Sequence, residues 1–151
     1  MRTTLAAIAL AAAFTQPGAA VTFPSLTTIY VGSGVYDDSD AANLGQATSI
    51  HCSNVSGVSV QVRALVLGPT GIVEGSLTTS LPHGATFTFS THDTAVFVDL
   101  SGLLNTDQVG QGVVNVEATN SAVFCTAVVV DAGADIDRGE GGKGDGGSRL
   151  R

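Results

Sequence analysis

Between Leu26 and Asp131 apolar residues recur at every second position, and turn-forming residues interrupt them at short intervals. In Ser59–Leu67, Val60, Val62, Ala64 and Val66 share one side, while Ser59, Gln61 and Arg63 share the other. That alternation predicts a half-buried strand. Gly112–Ala118 repeats it, with Val114, Val116 and Ala118 inward and Asn115 and Glu117 outward. Ala85, Phe87 and Phe89 point one way, and Thr86, Thr88 and Ser90 the other. Further strands are predicted over Thr27–Gly32, Ala47–Ser53, Ile72–Ser80, Ala95–Leu100 and Ala122–Val130, bounded by Gly, Pro, Asn, Asp and Ser. No 3.6-residue apolar period occurs here, and Ser101–Val109 has room for one helical turn at most. Many short strands without intervening helices predict an all-β, two-sheet antiparallel sandwich. The short links LGPTGI (67–72) and ATNSA (118–122) are each expected to close a hairpin. The last strand, AVFCTAVVV, is apolar on both faces and is expected to be central, or covered on its second side.

The ends of the chain differ in kind. Arg2 precedes a short apolar run, Leu5–Phe14, followed by Gln16-Pro17-Gly18 and small residues up to Ala20. This pattern predicts a signal peptide over residues 1–20 and a secreted or periplasmic product. The run is too short to cross a bilayer, which takes about 20 apolar residues. A single β-sandwich domain is expected over 21–132. Residues 133–151 are Gly-rich and charged and are expected to form a disordered tail, because they offer almost nothing to bury.

Charge narrows the partners. Residues 21–131 carry nine acids and one base, Arg63, a net of −8. One cation cannot neutralise a row of phosphates, so nucleic acid is not an expected partner.

Two cysteines in an exported chain predict a disulfide, Cys52–Cys125, placed between the two sheets. If Cys52 points inward, His51 points outward. A copper centre of the sandwich type needs two His, a Cys and usually a Met. The one Met is Met1, and no His follows Cys125. Structural zinc needs four closely spaced ligands, which are absent. His83 and His92 flank one predicted strand and so fall at its opposite ends, too far apart to share an ion. His92-Asp93 has no nucleophile elbow to serve. No catalytic residue is therefore assigned, no cofactor is expected and the protein is not expected to be an enzyme. YDDSDAAN (36–43) reads as a solvated acidic loop, with Asp37, Asp38 and Asp40 the candidate ligands for weakly bound calcium. Asn54-Val55-Ser56 matches the glycosylation pattern.

TTIYVGSGV (27–35), ATSIHCSNVSG (47–57), LPHGATFTFSTH (81–92) and GVVNVEATNSAVFCTAVVVDA (112–132), in that order, resemble an uncharacterised group of small exported bacterial proteins. The resemblance covers about Leu26 to Ala132, and the tail departs from it. It implies an immunoglobulin-like β-sandwich and an extracytoplasmic address, but no mechanism. Two functions are expected from this sequence. The first is a non-catalytic binding or structural module acting through a surface or a sheet edge. The alternative is a small-ligand or calcium-binding protein using the Asp37–Asp40 loop.

Overall fold

The computed structural model describes residues 24–97 and 101–134. The expected leader, all but the first two residues of the expected tail, and residues 98–100 lie outside the described residues. Eight strands form: β1 (Thr27–Asp37), β2 (Gln46–Asn54), β3 (Val60–Leu67), β4 (Val73–Leu81), β5 (Thr86–Ser90), β6 (Ser101–Leu103), β7 (Val109–Ala118) and β8 (Val123–Asp131). They make two four-stranded sheets, ordered β1-β7-β3-β4 and β6-β5-β2-β8. No helix occurs among the described residues, and Ser101–Val109, which had room for one helical turn at most, forms the short strand β6 and the lead into β7.

The core lies between the sheets and follows the period-2 pattern. Val60, Val62, Ala64 and Val66 of β3 meet Val114, Val116 and Ala118 of β7 within one sheet. Ile50 and Cys52 of β2, with Phe87 and Phe89 of β5, supply the opposing face. The two phenylalanine rings pack edge to face, 4.8 Å between centroids, a favoured aromatic arrangement. On the outer side of the first sheet, Arg63 and Glu117 sit opposite each other and form an ion pair across β3 and β7.

Several expectations need correcting. The sheets are not wholly antiparallel: β5 and β6 pair in parallel, with Thr88, Phe89 and Ser90 opposite Ser101, Gly102 and Leu103. LGPTGI does close a hairpin, between β3 and β4. ATNSA does not, because β7 and β8 belong to different sheets, so this link carries the chain across the sandwich. The Ala95–Leu100 strand does not form at its described positions, 95–97. Most consequentially, β8 is an edge strand and not a central one.

The disulfide between Cys52 and Cys125 is present, and its placement is also corrected. The two residues face each other directly on neighbouring strands of one sheet, β2 and β8, so the bridge staples two strands rather than two sheets. Their Cα atoms lie 4.2 Å apart, close to the ~4.5 Å of a non-hydrogen-bonded antiparallel pair.

Candidate functional site

Two regions gather chemistry or unpartnered surface. The first lies at one end of the sandwich, where β1 finishes. A bulge near Ser33 and Val35, with Gly34 at φ +87°, lets β1 continue past its glycines. Val35 and Asp37 then both point inward, and Asp37 is fully buried. Its carboxylate is fully engaged. Oδ1 accepts from the Ser39 backbone N–H (2.7 Å) and pairs with His92 Nδ1 (2.8 Å), while Oδ2 accepts from Thr106 Oγ1 (2.8 Å). The other ring nitrogen, His92 Nε2, lies 3.0 Å from the Leu44 carbonyl. Both ring nitrogens thus face protein oxygens. The arrangement ties three chain segments together: the end of β1, the loop after β5 and the lead into β7.

Asp37, Asp38 and His92 each offer a ligand atom within 4.8 Å of the others. Asp40 stands apart from that set and accepts from the Ala41 N–H. Asp38 holds the loop shut by accepting from the Gln46 N–H (2.8 Å). A cation held by the three would have to take the place of the His92 proton on Asp37. Thr106 was not singled out in sequence, and no local pattern marks it, since its partner lies 69 residues away.

The remaining predicted positions lie elsewhere. His51 points outward from β2, as the alternation requires, but it is partly covered. Its ring meets the edge of Phe97 at 4.3 Å, and Nδ1 lies 2.9 Å from Thr88 Oγ1. Burial lowers its pKa below the usual 6.5. His83 sits in the turn before β5 and accepts from the Gly57 N–H. Asp93 is exposed, and its carbonyl accepts from Asn43 N–H. The three histidines therefore occupy three separate places. Asn54 is not a surface acceptor for glycan. It is buried, and its amide donates to the carbonyls of Val58 and Leu81 while accepting from Ser56 N–H.

The second region is the open side of the sandwich, where edge strands β1 and β8 face each other across the gap between the sheets. Phe124 is 61% exposed, Val129 50% and Val128 43% on β8, with Val31 at 69% on β1. An apolar cleft of about 140 Å³ runs between the two strands, lined by Tyr30, Val31, Ile50, Val116, Cys125 and Ala127 among others. A depression of about 440 Å³ lies at a loop end around Gly34, Pro69 and Gln111, and its lining carries no titratable side chain.

The two sheets have four edges, and three are blunted. β6 is three residues long, β1 is broken by register shifts, and β4 carries Glu74 and exposed Ser76, Thr78 and Ser80. Among the described residues, β8 has none of these devices. It pairs with β2 in unbroken register over nine residues and has no charge from Val123 to Val130. An exposed edge of that kind is a template for another strand. No protein-family model matches the chain, and no curated protein or solved structure matches it either.

Proposed function

We propose that this chain is an exported binding or structural module of the cell envelope or extracellular space, working through protein contact at the β8 edge. The unblunted β8 edge carries the reading. A strand added there gains main-chain hydrogen bonds along its length, and the apolar cleft beside it selects alternate side chains. The signal-like N-terminus and the disulfide support the address, since such bonds persist in oxidising compartments. The resemblance to small exported sandwich proteins supports it in the same way.

A second reading, small-ligand or cation binding, has one favouring observation, the proximity of Asp37, Asp38 and His92. A thermal-shift comparison separates the two. Extended apolar peptides should raise the melting temperature of the wild type but not of Val128→Lys, which places a charge on the edge. Stabilisation by calcium or zinc that a chelator reverses, with no effect of any peptide, would overturn the contact reading in favour of the second.

A further inference from the structure

We infer that the β8 edge pairs with the β8 edge of a second copy of the chain. The two strands run antiparallel about a two-fold axis, joining two four-stranded sheets into one of eight strands. The inference rests on the contact reading above and names its partner.

Backbone geometry limits how two such edges can meet. Ala122 O accepts from Val55 N–H, and Ala132 N–H donates to Gly45 O. Even-numbered residues of β8 therefore spend their backbone groups on β2, as the continuous β2–β8 register requires. Odd-numbered residues, Val123, Cys125, Ala127 and Val129, direct theirs out of the sheet. In an antiparallel pair of these edges the odd residues must form the hydrogen-bonded positions, and the even residues the closer non-hydrogen-bonded ones. Side chains that face the core then meet core-facing side chains, and outer ones meet outer ones.

Among the allowed registers, one centred on Thr126 sets Phe124 opposite Val128 of the second copy. It brings the two most exposed apolar residues of the outer face together at the close positions, where cross-strand pairs interact best. On the inner face it sets Val123 against Val129, and Cys125 against Ala127. The acid that ends the strand, Asp131, then falls opposite Ser121, so no carboxylate enters the paired stretch and the two copies' Asp131 residues lie at opposite ends.

Charge argues for the same occupant. The edge asks for a strand that is uncharged over about eight residues, and this chain carries such a strand in the required orientation. The exposed parts of Phe124, Val128, Val129, Tyr30 and Val31 amount to roughly 400 Å² of apolar surface per copy, taking ~100–200 Å² for each whole side chain. A standard interface buries about 800 Å² per partner. The pairing is therefore weak and concentration-dependent, with a dissociation constant on the order of micromolar or above. Because the domain around the edge is strongly acidic, two copies repel at long range. Added salt screens that repulsion, so self-association strengthens as ionic strength rises.

Sedimentation equilibrium of the purified chain over a concentration series tests this. The expected result is a monomer–dimer equilibrium that tightens with salt. Ala127→Pro, which removes an outward N–H while leaving the β2 ladder intact, and Val128→Lys should each weaken it about tenfold or more. Thr78→Lys on the β4 edge should leave it unchanged. Thr126→Cys should form a covalent dimer on oxidation, as the self-opposed position of the two-fold. A chain that stays monomeric at millimolar concentration, or whose dimer ignores both β8 variants, overturns the inference. If that monomer is still stabilised by extended peptides in a Val128-dependent way, the contact reading stands with a different partner. If no peptide stabilises it, both fall.

Discussion

Replacing Asp37 by Ala separates a buried anchor from a solvated loop. The carboxylate is wholly buried and accepts from Ser39 N–H, His92 Nδ1 and Thr106 Oγ1. Hydrogen bonds to a charged acceptor contribute about 1.5–3 kcal/mol each. Some of that is regained in the variant. Ser39 is exposed and can bind water, Thr106 Oγ1 keeps a longer contact to the Thr91 carbonyl (3.3 Å), and the cost of burying the charge is removed. The net loss expected is about 2–4 kcal/mol, a large share of the ~5–15 kcal/mol available to a domain. Asp38→Ala and Asp40→Ala remove only contacts at or near the surface and should each cost less than about 1 kcal/mol. Urea denaturation at neutral pH gives all three values, provided the slope is the same for each variant. An Asp37→Ala loss no larger than that of its two neighbours would refute the assignment of Asp37 as an interior anchor.

Three further outcomes are expected. Replacing both cysteines by alanine opens a loop of 73 residues and should lower stability by roughly 4 kcal/mol in the chain-entropy account, read by the same denaturation. Asn54→Ala strands the buried Leu81 carbonyl and removes one of the two donors to the Val58 carbonyl, and should cost about 1–3 kcal/mol, with Asn54→Asp worse because a carboxylate cannot donate to Val58 and Leu81. His51 is held below its usual pKa of 6.5 by burial, so its neutral form is favoured in the fold. Its contribution is complete above 6.5 and is lost as pH falls from there towards the folded value. Melting curves from neutral to mildly acidic pH should show a shallower decline for His51→Gln than for the wild type.

The core strands were legible because one face of each is buried and the other wet. Val60, Val62, Ala64 and Val66 alternate with Gln61, Arg63 and Leu65, and no other register hides them. The cysteine pairing was legible for a similar reason, since two cysteines expected to face inward in a chain expected to be exported have few alternatives. Its placement was not, because sequence spacing does not say which strands become neighbours. β8 misled in an instructive way. A strand apolar on both faces suggests cover on both, yet here the composition belongs to an open edge, and only sheet order reveals that. ATNSA has the length of a hairpin loop, and length alone cannot say whether a chain returns along its own sheet or crosses to the other. Asp37 was hidden by the bulge at Gly34. Ending β1 at Gly32 turns the residues beyond into a loop, whereas the bulged strand carries Asp37 to a buried position. Thr106 carried no signal at all, because its role depends on a partner brought near only by the fold.

The central claim is that the β8 edge is open in the single molecule and closed by a strand partner. Residue-resolved amide hydrogen exchange measures it directly. In dilute protein the outward amides of Cys125, Ala127 and Val129 should exchange rapidly while those of Thr126 and Val128 are protected by β2. Raising the concentration, or adding an extended apolar peptide, should slow the three outward amides selectively. Protection of Cys125, Ala127 and Val129 already present in the dilute monomer, and unchanged by concentration or peptide, would contradict the account.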